Sequence, residues 1–184
     1  EIETQLAQID SVLVDALRRS NEWAEIRSDW SALSSEWRGM TLAASIVAHR
    51  KAIARMLVFV TAASDTYRLT QDPDVGSYYL MDTALVRLPA LLETLGRLRA
   101  NGTGILAAGK LEAAQANTLN VALAGIGDLR EQYQRNLAKT RRENPSVANS
   151  LDTSAEKFLG DLERMLSVVH DDILAQKFAT PAAD

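Results

Sequence analysis

Residues 72–82 read Asp72-Pro73-Asp74-Val75-Gly76-Ser77-Tyr78-Tyr79-Leu80-Met81-Asp82, and here the chain departs from a plain helical pattern. Pro73 fixes φ and disfavours helix in the two residues before it, so a helix arriving from the N-terminal side should stop at Gln71-Asp72. Asp74 or Ser77 then offers a side-chain oxygen to the free N–H groups of a second helix. The stretch therefore reads as the corner of a helical hairpin, with two tyrosines and a carboxylate beside an Ala/Leu-rich pattern. It serves either as a packed corner or as one that touches a ligand.

Working outward, the apolar spacing stays near three and four throughout, and no window alternates as a strand would. Residues 2–37 carry one stripe, Leu6, Ile9, Leu13, Leu17, Trp23, Ile26, Trp30, Leu33 and Trp37, with the tryptophans every seventh residue. Such a ladder fits a bundle or dimer seam, or a stacking platform. Gly39 breaks it. Residues 41–70 place Leu42, Ile46, Ile53, Leu57, Val60 and Ser64 inward. Residues 75–100 carry Met81, Ala84, Leu85, Leu88, Leu91, Leu92, Leu95 and Leu98, with a bend expected at Pro89 and a C-cap at Asn101-Gly102. A short helix at 103–108 precedes a long one at 111–142, in which Gly125 and Gly127 mark a close approach or a bend. Asn144-Pro145 ends that rod, and 147–178 form the last, with Leu151, Phe158, Leu162, Met165, Leu166, Val169 and Ile173 inward until Thr180-Pro181. The expected fold is all-α, an antiparallel up-and-down helical bundle with long helices, drawn as one domain over 1–184.

Composition narrows the function. Aromatic residues make up only 5% and the formal charge is −4, which disfavours a nucleic-acid partner because such a face needs a concentrated positive field. Without cysteine there is no disulfide or thiol chemistry. The most apolar stretch, 52–63, contains Arg55 and is too short to span a bilayer. His49 and His170 fall in different helices, with no third ligand set for zinc. His170-Asp171-Asp172 reads as a solvated surface group. Neither Gly102-Thr103-Gly104 nor Gly125-Ile126-Gly127 has the lysine of a phosphate loop. No catalytic, metal or cofactor site is expected.

Residues 65–82, DTYRLTQDPDVGSYYLMD, followed by Arg87-Leu88-Pro89, Gly96-Arg97-Leu98-Arg99 and Gly102, resemble a family of bacterial membrane sensors. Its pattern at this place is approximately DxSNLxLDPDxDSYYLMD. Glu143-Asn144-Pro145 and the helix with Phe158-Leu159 extend the likeness over residues 30–176. That family comprises the extracytoplasmic all-helical sensing regions of methyl-accepting chemotaxis proteins, sensor histidine kinases and diguanylate cyclases. The resemblance implies a non-enzymatic periplasmic sensing domain of a membrane-anchored receptor, excised or truncated here. Two departures stand out: Tyr67-Arg68-Leu69 replaces Ser-Asn-Leu, and Gly76 replaces Asp.

The residues themselves suggest a site at the corner. With about 100° per residue and an apolar arc centred on 84–88, Tyr78 and Arg87 lie on opposite flanks, where a side chain can reach between helices. Arg87 offers a forked donor for a carboxylate, Tyr78 a ring and a hydroxyl. Tyr79 points away from the core, towards a neighbouring subunit. Arg68 and Asp65 lie one and two turns before the corner, and Asp82 follows it. The expected ligand-binding set is therefore Asp65, Arg68, Tyr78, Tyr79, Asp82 and Arg87, the expected ligand a small organic anion or aromatic acid, and the expected assembly a homodimer. The competing reading has Arg68 or Arg87 pairing with Asp65, Asp72 or Asp82 merely to pin the corner, in a structural or dimerisation bundle.

Overall fold

The computed structural model describes residues 1–71 and 73–182, without the side chains of Leu42, Thr70 and Ala148. Asp72, the first residue of the corner, lies outside the described residues. All regular structure among them is helical, in long antiparallel helices as the sequence implies. The chain forms two compact units, Glu1–Gln71 and Asp72–Asp184, where the sequence reading drew one domain.

In the first unit the expected rod over 2–37 is broken into α1 (Ile2–Val12), α2 (Asp15–Arg18) and α3 (Asn21–Glu36). Leu13 and Val14 are extended, and the Arg18 guanidinium donates to the Leu13 carbonyl at 2.7 Å. Ser20 then caps α3 by accepting from the Trp23 N–H at 3.2 Å, which makes the restart favourable. The fold-back gathers Leu13, Leu17, Trp23 and Ile26 around Phe59 of α4 (Leu42–Thr66). Trp23 stacks on Phe59 at 5.1 Å and donates its indole N–H to Asp10 at 2.7 Å, so this ring is fully packed and its polar edge satisfied. The tryptophans are consequently not equivalent. Trp23 is 3% exposed, Trp30 half-buried, and Trp37 46% exposed.

Helices α3 and α4 run antiparallel, with Asp29 pairing to Arg55 at 2.9 Å and to Lys51 at 3.6 Å, and Glu25 pairing to Arg55. The face of α4 that is buried carries Ala52 and Phe59, with Met56 and Ala63 packed beside them. This corrects the expected stripe: Ile46 and Ile53 are 41% and 39% exposed. Of two apolar stripes on one helix, the one bearing the ring that meets Trp23 is the one that packs. Helix α4 also stops at Thr66, earlier than Pro73 requires, because Arg68 takes a left-handed φ of 55° into the 3₁₀ turn Leu69–Gln71.

The second unit is a three-rod antiparallel bundle. Its first rod joins α5 (Val75–Asp82), a π-helical turn (Thr83–Arg87) and α6 (Leu88–Ala108) without interruption. The second is α7 (Ala113–Glu143), and the third α8 (Pro145–Val168) with a π-helical turn at Val169–Leu174. Pairing of Arg130 with Glu163 and of Arg141 with Asp152 fixes α7 and α8 antiparallel. Leu91, Leu98, Ile105, Leu119 and Ile126 are all but inaccessible and form the core with Leu162, Val169 and Ile173.

Asp74 caps α5, accepting from the Ser77 N–H at 2.7 Å, and the same hydrogen bond holds its carboxyl below the usual range. Asn144 likewise caps α8 directly after α7 ends. Two expected features move. The bend at Pro89 is realised as the π-turn just before it, with the Leu88 N–H reaching back to the Thr83 carbonyl. The stop at Asn101-Gly102 does not occur; the helix continues to Gly109, whose φ of 61° supplies the left-handed cap. Gly102 serves a different need. A Cβ there would sit 3.1 Å from Ile173 Cδ1, so the absent side chain permits close approach. Gly125 and Gly127 have no such neighbour, and α7 runs through them.

Replacing Trp23 by Ala should lower stability by about 3–5 kcal/mol in urea unfolding, through lost burial and the cavity left behind. The same change at Trp37 should stay within about 0.5 kcal/mol. A larger loss at Trp37 than at Trp23 would contradict the broken-rod packing.

Candidate functional site

The π-turn adds one residue to a turn of the first rod, and this resets which residues face α7. Counted back from Leu91 along an unbroken helix, Ala84 would be inward and Tyr78 a flank. In the structure Thr83 and Gly76 are buried, Ala84 is exposed and Tyr78 is 42% exposed. Tyr79, expected to point away, is half-buried against α7. The correction has one cause: an extra residue turns the whole of α5 by about 100° relative to α6.

Gly76 makes the contact possible. A Cβ on it would lie 3.1 Å from Glu143 Cβ, so α5 and the end of α7 pack backbone against side-chain base. A side chain at this position, such as the Asp of the sensor pattern, would require the end of α7 to shift by a few tenths of an ångström.

Along the α5–α7 contact runs a polar seam. Arg87 donates through Nε to Asp82 Oδ2 at 3.0 Å and through a terminal nitrogen to Gln132 Oε1 at 2.5 Å. Asn136, itself buried, donates to the same Asp82 oxygen at 2.6 Å. One turn on, the Lys139 ammonium donates to the Tyr79 hydroxyl at 2.9 Å and lies 4.1 Å from the centre of that ring. Tyr78 meets the Tyr79 ring edge-on at 5.3 Å. Thr83 returns its hydroxyl to the Tyr79 carbonyl at 2.7 Å. Thr140 places a buried hydroxyl oxygen here with no hydrogen-bond partner among the described residues.

Asp82 and Arg87 are therefore brought together, as the pinned-corner reading anticipates, and Tyr79 joins them through α7. Asp65 and Arg68 are exposed and belong to the first unit, whereas the other four expected site residues belong to the second. Gln132, Asn136, Lys139 and Thr140 were missed. Their signal was available: Leu119, Ile126, Tyr133 and Thr140 recur every seventh residue, so Thr140 is a hydroxyl on an apolar seam, and Asn136 is buried one turn before it.

The charges are unevenly matched. Asp82 has a cation, but Lys139 has only a neutral hydroxyl and a ring, and no carboxylate within ion-pair distance among the described residues. An ammonium has three donors, so this half-buried cation retains capacity for an anion. An incoming carboxylate is the simplest group to use it.

Asp172 is a further correction. It is buried, not solvated, and accepts from the backbone N–H groups of Ala179 and Thr180 at 2.7 Å each, which straps the C-terminal segment onto the third rod. Those hydrogen bonds, Ala179's first, hold its carboxyl below the usual range. Among the described residues no cluster of His, Asp and Glu is arranged to hold a metal ion, and no helix is long and apolar enough to cross a membrane. No family model, curated protein or solved structure matches the chain.

A depressed carboxyl stabilises the fold fully above its unfolded pKa of about 3.9, and the contribution disappears as pH falls through the lower folded value. Melting temperatures taken on descending from neutral pH should therefore drop more steeply for the native protein than for Asp172→Asn. Parallel acid limbs would show that the strap is not formed in solution.

Proposed function

We propose that the chain is the ligand-sensing part of a transmembrane signalling receptor on the extracytoplasmic face of a bacterial inner membrane, and that it is not an enzyme. The observation that carries the reading is the half-buried Lys139, a cation lacking an anionic partner among the described residues, in a polar seam between two long rods. A bundle needing only stability gains little from such a seam, since replacing buried ionic groups by packed apolar ones is often neutral or better. The resemblance of residues 65–82 to sensor ectodomains supports the same reading.

The ligand class that suits the seam is a small organic or aromatic acid. Its carboxylate takes Lys139, and its body meets Tyr79 and the exposed Tyr78. A carboxylate on Lys139 shares the ammonium that holds Tyr79, a residue on the rod just before the π-turn. Ligand binding thus bears directly on how α5 sits on α7. A few kcal/mol of differential affinity suffices to shift such a two-state arrangement.

One observation favours the alternative, a structural or dimerisation bundle. Arg87, the expected charge partner, is already engaged by Asp82 and Gln132, as a corner pin would be.

A thermal-shift screen against succinate, glutamate and benzoate separates the two. At a hundred times its Kd a ligand adds about 2.7 kcal/mol, or roughly 5–10 °C for a chain of this size. Lys139→Met should abolish the shift and leave the ligand-free melting temperature nearly unchanged. A shift that survives Lys139→Met but vanishes in Arg87→Lys would move recognition to Arg87. A melting temperature that responds to protein concentration and to none of the acids would favour the dimerisation bundle.

A further inference from the structure

The second unit has another recess, away from the seam, between α6 and the third rod. Gly102 and Ile173 bring the two rods into close contact, and beside that contact a groove of about 370 Å³ opens. Leu106, Met165 and Val168 line it with apolar surface. Arg99 and Arg164 stand at its edge, both exposed. Thr180, Pro181 and Ala182 form the third side. That side is fixed in place, because Asp172 grips the N–H groups of Ala179 and Thr180.

The two guanidiniums are available. Arg164 pairs only with Asp161, one turn back on its own helix, and its own side chain is 74% exposed. Arg99 makes no ion pair with any described residue. An apolar floor with cations at one edge selects a molecule with an apolar body and an anionic head. A second carboxylate would be stranded on the floor without hydrogen bonds, which disfavours a dicarboxylic acid. At roughly 30 Å³ per non-hydrogen atom the space suits a body of on the order of ten such atoms. Met165 gives the floor an adaptable surface for a flexible chain.

We infer that this groove is a second binding site, one that takes an amphipathic monocarboxylate by seating its hydrocarbon on Leu106, Met165 and Val168 and its carboxylate between Arg99 and Arg164. The inference stands independently of whether the Tyr79–Lys139 seam takes a ligand. The strap held by Asp172 forms one wall, so occupancy also secures the end of the third rod.

Octanoate is the probe, with 1-octanol as its uncharged counterpart and succinate as a carboxylate without the apolar body, titrated calorimetrically into the whole chain. In the Lys139→Met protein, where the seam offers no cation to succinate, octanoate should bind saturably and about tenfold or more tighter than either control. Arg99→Gln together with Arg164→Gln should reduce octanoate to the level of octanol. Thr103→Trp, at an exposed position on the groove wall, should block binding without lowering the melting temperature of the unliganded protein. Lys139→Met should leave octanoate binding intact, which separates this site from the seam. Equal affinity for octanol and octanoate, octanoate binding unaffected by Thr103→Trp, or its loss in Lys139→Met would each overturn the assignment, as would the absence of saturable binding into the millimolar range.

Discussion

The hydrogen bond from the Leu88 N–H to the Thr83 carbonyl, one residue longer in reach than an α-helical bond, sets the geometry of the second unit. Pro89 has no N–H to give the Leu85 carbonyl, so the helix is already weakened here, and the extra residue is taken up as a π-turn. Everything before it is rotated relative to the leucine core that follows. Gly76, Tyr79 and Thr83 turn towards α7, and Tyr78 turns to solvent. The polar seam exists because of that rotation. Asp82 reaches both Arg87 and Asn136, and Tyr79 reaches Lys139, only in the shifted phase.

The second unit thus has a firm middle and two chemically distinct ends. Leu91, Leu98, Leu119 and Ile126 are packed without access to water and resist deformation. A polar seam with a cation that lacks an anionic partner among the described residues lies beyond one end of this core, and an apolar groove edged by two arginines beyond the other. Each sits beside a π-turn, Thr83–Arg87 in the first rod and Val169–Leu174 in the third. Small changes in helix placement are most easily absorbed at such turns, which is what the proposed sensing role would require.

Much of this was legible in the sequence. The all-α class, the Asp74 cap, the boundary at Asn144-Pro145 and the stripe Leu162, Val169 and Ile173 all follow from spacing and capping chemistry. The break at 13–20 was also written there, in the Ser20 cap, but the regular apolar spacing of the tryptophans masked it. Asn101-Gly102 carried a true signal with two physical meanings, a left-handed cap or a close approach, and only Ile173 decides between them. The π-turn was half legible: Pro89 announces a defect without saying that an added residue will absorb it. From that error came the exchange of Tyr78 and Tyr79, and the absence of Lys139 from the expected site.

The central claim is the phase of α5 on α7, and the absence of native cysteines allows it to be tested by paired cysteines. A Cβ on Gly76 would lie 3.1 Å from that of Glu143, so a shift of a few tenths of an ångström brings the pair to the usual disulfide separation, whereas an unbroken helix would present Ser77 there instead. Under mild oxidation the pair Gly76→Cys with Glu143→Cys should cross-link rapidly and nearly completely, and Ser77→Cys with Glu143→Cys slowly or not at all. Preferential cross-linking of the Ser77 pair would place Tyr78 on α7, and the polar seam would not exist as described.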